Sequence, residues 1–216
     1  MKVRQLFLIL LLQVCIFAKA QIPADVMNVM NKCSEKMNNP AGYELDFKLH
    51  AGMLVFSMNG TVKIYSKGEK SYHVMTMKVL GKELKEESGF DGVQEWKYKQ
   101  SMKSSEPDSL IITKVSKKGK GDYDIDLNIH KDYKTAKMKV KGDYYEITFS
   151  NPKDKESPKQ TLMKINKNNY YFHEMSVKEK GLTVRMTATK IKFGVNDDMF
   201  KLDLKKYPKA KIIRRS

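Results

Sequence analysis

The chain has 216 residues, 41 Lys and Arg against 25 Asp and Glu, a net charge of +16 and two Cys. Two cysteines exclude a disulfide-stapled secreted scaffold. The charge favours anionic partners through its long-range field, but no nucleic-acid motif accompanies the scattered lysines.

Residues 1–20 have the layout of a cleaved secretory signal. Lys2 and Arg4 open it, Leu6 to Phe17 is apolar apart from Gln13, and Ala18-Lys19-Ala20 is a small-x-small cleavage site before Gln21. The apolar run falls short of the roughly 20 residues that a membrane-spanning helix needs. Leu12-Gln13-Val14, ahead of Cys15, lacks the small residues of a lipidation site, which favours plain cleavage. Losing Lys2, Arg4 and Lys19 lowers the charge from +16 to +13 and leaves Cys33 as the one cysteine. Residues 21–216 are expected to form a single domain, long enough to bury a core or a core with a hollow in it.

Pro23 to Met37 is expected to be an amphipathic helix. Val26, Val29, Met30, Cys33 and Met37 recur at spacings of three and four, and Asn38-Asn39-Pro40 stops the run. After Gly42 the period changes to two. Tyr43, Leu45, Phe47 and Leu49 alternate with charged residues, as do Val62 and Ile64, Trp96 and Tyr98, Met138 and Val140, and Ile147 and Phe149. Val177, Leu182, Val184 and Met186 continue the pattern. Turns are expected at Asn59-Gly60, Lys67-Gly68, Asp91-Gly92, Lys141-Gly142-Asp143 and Lys180-Gly181. Ser101 to Asp108 and Asn151 to Gln160 read as polar loops, and Lys117 to Gly121 as a basic turn. Tyr123, Ile125, Leu127 and Ile129 alternate like a strand, so residues 122–132 stand open between strand and helix. The fold class is α+β: a large curved antiparallel sheet covered by the N-terminal helix, with room for one or two further short helices.

Catalytic chemistry is missing. The four His (50, 73, 130, 173) have no metal-ligand spacing, and there is no HExxH, CxxC, phosphate loop or Gly-x-Ser-x-Gly elbow. No catalytic residue, metal or cofactor is therefore assigned. Methionine is enriched, with 14 in the chain. Met75 and Met77 share one strand face, and together the methionines favour a deformable apolar cavity.

Three stretches resemble the periplasmic outer-membrane lipoprotein carriers, the LolA-type family. Asp91-Gly92-Val93-Gln94-Glu95-Trp96-Lys97-Tyr98 is similar to the family's Asp-Gly-x-x-x-Trp-x-Tyr hairpin. Gly142 to Phe149 followed by Asn151-Pro152-Lys153-Asp154 resembles the strand and loop before its C-terminal strands. Val195 to Asp203, then Tyr207-Pro208, looks like the tail of Bacteroidetes-type members. The resemblance implies an incomplete barrel closed by helices, whose apolar hollow takes lipoprotein acyl chains. It implies no enzyme activity. Its partners would be lipidated proteins or other acyl-chain ligands, an inner-membrane release complex and an outer-membrane acceptor, with transient membrane-surface contact and a monomeric carrier. An envelope lipid-binding or stress-sensing module on the same fold is the alternative. The family's Lys-Arg-Pro turn corresponds here to Tyr65-Ser66-Lys67-Gly68, without the Arg and Pro, so its opening mechanism does not carry over. The expected cavity lining is Val26, Val29, Met30 and Cys33 from the helix. From the strands it is Leu45, Phe47, Val62, Ile64, Tyr72, Val74, Trp96, Tyr98, Ile147 and Phe149.

Terminal sequencing of the exported protein is expected to begin at Gln21. A lipidated N-terminus at Cys15 would instead mark a tethered protein.

Overall fold

The computed structural model describes residues 22–53, 56–79, 81–115, 127–155 and 157–215. The signal segment and the Lys117–Gly121 turn lie outside these residues.

Helix α1 spans Ala24–Met37 and buries Val26, Val29, Met30, Cys33 and Met37, the stripe its spacing requires. Pro23 precedes it with φ −56°, Asp25 stands in the first turn and Lys36 in the last, each charge matching the helix dipole. Twelve strands follow: β1 (Tyr43–Met53), β2 (Phe56–Lys67), β3 (Lys70–Val79), β4 (Lys82–Phe90), β5 (Gln94–Lys99), β6 (Ser109–Lys114), β7 (Tyr133–Lys141), β8 (Tyr144–Pro152), β9 (Gln160–Asn166), β10 (Phe172–Glu179), β11 (Leu182–Phe193) and β12 (Lys211–Arg215). They form one open, curved sheet in the order β12-β6-β5-β4-β3-β2-β1-β11-β10-β9-β8-β7. Within β1–β6 and within β7–β11 consecutive strands pair antiparallel, and β11 returns to close against β1. The exception to the expected antiparallel order is β12, which runs parallel to β6 at the edge.

Further details differ from the sequence reading. Asn59-Gly60 is not a turn: Gly60 lies inside β2, opposite Leu49 and Met77. A Cβ there would collide with the Thr76 carbonyl and come within 3.1 Å of Met77 Cγ, so the glycine serves a close strand approach. Residues 129–132 form a single 3-10 turn, while 122–126 fall outside the described residues. The remaining helical segments are 3-10 turns at 197–200 and 204–206. The Ser101–Asp108 loop lies where its polarity puts it, whereas the loop expected over Asn151–Gln160 is shorter, since β8 runs on to Pro152 and β9 begins at Gln160.

The two faces of the sheet are covered differently. The helix packs on one, over Leu45, Phe47, Val62, Ile64, Ile147, Phe149 and Met163. Lys32 Nζ sits 4.9 Å above the Tyr170 ring and tethers the helix to the turn after β9. On the other face the segment after β11 crosses as a strap before forming β12. Lys67 and Lys70 each hold Asp197 at 2.8 Å and lower its pKa to about 2. Farther along, Tyr207 packs against Tyr98 at 4.8 Å and joins Trp96, Leu110 and Ile112 in a second apolar cluster.

The strap buries one carboxylate, Glu87, which is 4% exposed. Lys85 Nζ contacts its Oε1 at 2.5 Å, Tyr207 donates to its Oε2 at 2.8 Å, and Tyr72 donates to the same oxygen. Burial pushes the Glu87 pKa up, but the hydrogen bonds from Lys85, Tyr72 and Tyr207 outweigh it and leave the pKa below the ordinary value. Next to this group, the Trp96 indole lies directly over Gly89, where a Cβ would stand 2.6 Å from Cε2.

Gly89→Ala is expected to cost about 1–3 kcal/mol, because a rigid indole must move. Urea unfolding followed by the fluorescence of the single Trp will measure it. Glu87→Gln is expected to cost about 1–3 kcal/mol at pH 7. The folded pKa of Glu87 is depressed, so its contribution is present above the unfolded pKa and lost as pH falls through the folded one. The gap between wild type and Glu87→Gln therefore closes in acid, as pH-dependent unfolding curves will show.

Candidate functional site

The fourteen residues expected to line one hollow divide between the two faces of the sheet. Ten of them, from Val26 to Phe149, meet in the helix-side core, each 5% exposed or less. Val26, Met30, Cys33, Leu45, Phe47, Ile64, Ile147 and Phe149 are at 1% or below, which leaves no water-sized space beside them. The other four, Tyr72, Val74, Trp96 and Tyr98, belong to the strap-side face. The register shows why. Ile64 pairs with His73 and Val62 with Met75, so Tyr72 and Val74 alternate to the opposite face. His73 in turn pairs with Ser88, and Gly89 with Trp96, which carries the same alternation into β5. A shift of one residue in facing moves a whole strand's side chains.

Burial also explains the thiol. Cys33 is fully enclosed, and desolvation pushes its pKa up to about 12. It is a packing residue, not a nucleophile.

What the helix leaves half-covered on its own face is a row of apolar side chains. Met175 pairs with Met186, Met186 with Leu49, Leu49 with Gly60, Gly60 with Met77, and Met77 with Leu84. Five of these carry side chains, and all five are neither buried nor fully exposed. A parallel row of Val177, Val184, Ala51 and Met58 runs beside it. Together the rows cross six strands, about 24 Å at the usual strand spacing of about 4.8 Å. Met58, Met75, Met77, Met138, Met175 and Met186 share this face and are all partly covered. Unbranched thioethers of this kind adapt to an irregular apolar guest. Composition held the signal for these residues, since methionine enrichment was legible. Which strands would bring them together was not.

Titratable groups on the described residues are arranged for structure. On the strap side of β7–β11, Glu146 lies 3.2 Å from Lys139 and 3.8 Å from Lys164, and Glu174 lies 3.1 Å from Lys164. Burial raises the Glu146 pKa, yet the surrounding lysines, Lys139 foremost, bring it below the ordinary value. His50 bonds Asn59, His73 approaches Ser88, and His173 stacks on Tyr144 at 4.4 Å. Among the described residues no group of three or more His, Cys, Asp or Glu could hold a metal ion, and no helix is long and apolar enough to cross a membrane.

No protein-family model matches the sequence, and no curated protein matches it. Solved structures do align. An uncharacterized conserved protein from Thermus thermophilus superposes with a TM-score of 0.53 at 10% identity, covering 88% of this chain and 99% of that one. The Mycobacterium tuberculosis lipoprotein LppX gives 0.50 at 9% identity, covering 81% of this chain and 98% of that one. A LolA superfamily protein from Nitrosomonas europaea aligns over 82% of this chain and 97% of its own at 11% identity, but its TM-score of 0.38 is too low to carry weight. At these identities the likeness is one of fold: a single open sheet with a helix on one face.

Native protein is expected to resist a thiol-specific reagent at Cys33 and to react fully once unfolded. Fast reaction in the native state would show that α1 lifts from the sheet without a ligand.

Proposed function

We propose that this protein is a periplasmic carrier that binds lipoprotein acyl chains on the helix-side face of its sheet and moves them toward the outer membrane. It is a binding protein, not a catalyst. The observation that carries this reading is the half-covered methionine-lined row from Met175 to Leu84. Each methylene taken out of water is worth about 0.8 kcal/mol, so ten give about 8 kcal/mol before the cost of ordering the chain. The carrier-like hairpin around Trp96, the export signal and the open-sheet architecture support the same reading.

The bound chain lies beside α1 on this reading, because the residues beneath the helix are already packed. Opening through a turn arginine has no counterpart here. Lys67 instead holds Asp197 at 2.8 Å on the opposite face of the sheet, where it fastens the strap. Access to the row is then set by the side chains themselves and by the edge of α1.

Purified mature protein is expected to take up a fluorescent fatty acid or a lipidated peptide. Leu49→Asp and Met186→Asp should each weaken uptake by tenfold or more, by about the tenfold per 1.4 kcal/mol that links energy to affinity. Val93→Asp, in the exposed turn before β5, should leave uptake unchanged. Uptake that survives both row substitutions sinks the proposal.

A further inference from the structure

The sheet ends in β7 on one side and β12 on the other. Both strands are basic, but their charges are answered differently. On β7, Lys139 pairs with Glu146 at 3.2 Å. At the β12 end Lys205, Lys206, Lys211, Arg214 and Arg215 are all exposed, and none of the five forms an ion pair with another described residue.

The charge at this edge does not cancel. In β6, in β12 and in the turn leading into it (residues 109–114 and 203–215), Asp203 is the one carboxylate. It caps the turn by accepting from the Lys205 backbone at 3.0 Å. Lys209 is set aside, because it lines a cleft whose three lysines and three carboxylates balance. Nothing behind the edge reverses the sign. Over this whole end of the sheet, residues 81–115 and 203–215, twelve Lys and Arg stand against eight Asp and Glu. Three of those eight, Glu86, Glu87 and Glu106, are already paired with Lys99, Lys85 and Lys103.

Apolar groups stand among the unpaired cations. Ile212 is 45% exposed and Leu204 41%. The segment that carries them is held in place. The Tyr207 amide bonds the Leu204 carbonyl at 3.1 Å, the Lys211 amide bonds the Asp108 carbonyl at 2.8 Å, and β12 pairs with β6 from Lys211 to Arg215. Cations set around exposed aliphatic side chains suit an anionic bilayer: the charges meet lipid phosphates and the aliphatic groups enter the interface. A strand edge this charged resists pairing with a further strand, which favours lipid over an added peptide.

We infer that the β12 edge docks this protein onto the surface of a bilayer that contains anionic phospholipid. Leu84, where the methionine row ends, lies on β4, three strands from β12. A docked bilayer would then lie about 14 Å from the end of the row, at about 4.8 Å per strand. The inference names the surface through which the proposed carrier meets a membrane. It does not depend on the acyl-chain reading of the row.

The test is co-sedimentation of the mature protein with vesicles of one part phosphatidylglycerol to two parts phosphatidylcholine, and with pure phosphatidylcholine. Wild type should bind the mixed vesicles, ignore the neutral ones and be released by high salt. Lys211→Gln/Arg214→Gln/Arg215→Gln changes exposed side chains, so its melting temperature should match wild type. Its partitioning should fall about a hundredfold, at about fivefold for each cation near an anionic surface. Lys205→Gln/Lys206→Gln, outside the strand, should lower it about twentyfold on the same scale. Lys134→Gln/Lys137→Gln/Lys141→Gln removes three charges from β7 instead and should change it by less than about threefold. Equal losses from the two triple variants would show that net charge alone acts, and would overturn the site. Wild type that ignores the mixed vesicles overturns it too. If that protein binds polyglutamate and the β12 triple variant does not, the edge belongs to an acidic protein and the bilayer assignment fails. Fatty-acid uptake in solution should be unchanged in every variant, so failure here leaves the row reading standing.

Discussion

A twelve-stranded open sheet has two faces to cover, and one helix of 14 residues cannot cover either. The helix is about 21 Å long at about 1.5 Å per residue, while twelve strands span about 50 Å at about 4.8 Å per step. Every other feature answers that mismatch. Under α1 the sheet is apolar and sealed. On the opposite side of β7–β11 it is covered by charge, with Glu146 and Glu174 laced to Lys139, Lys164 and Arg185. On the opposite side of β2–β6 it is covered by the strap.

The strap is the less obvious solution. It brings Tyr207 onto a face that already carries Tyr72, Trp96 and Tyr98, and so completes a second core without a second helix. Its cost is a buried carboxylate, met by one lysine and two tyrosines. A buried charge is tolerable only when paired and hydrogen-bonded. Gly89 belongs to the same arrangement, since only a residue without Cβ leaves the indole room to lie flat across the strand. This face is therefore committed to holding the chain together.

On that other face, coverage runs out where the methionines begin. In the row from Met175 to Leu84, Met175, Met186 and Leu49 pack against the core while staying partly exposed. A dry core would favour Leu, Ile and Val, whose rotamers are fewer. Flexible thioethers at a boundary suit a surface that must fill itself when empty and yield when occupied. The fold and the partly covered methionine row thus have one cause, a sheet larger than its cover.

The sequence by itself determined the local elements. Spacings of three and four placed α1 to within a residue, because one apolar stripe admits only that helix. Alternation and glycine-marked turns placed β1, β5, β8 and β11, and the polar loops followed from composition. Facing was harder. His73 and Ser88 are polar and point toward the helix side, whereas Val74 and Trp96 are apolar and point away, so polarity misassigns β3 and β5. Gly60 looked like a turn because close strand approach and chain reversal both call for glycine. Only the tertiary structure decided which alternating set faces which cover, since that depends on the strap and on β12 joining β6 in parallel. It also decided that methionines from β1's neighbours on both sides form one surface. Period two fixes that a strand has two faces; contacts between segments far apart in the chain, such as β1 with β11, fix which face is buried.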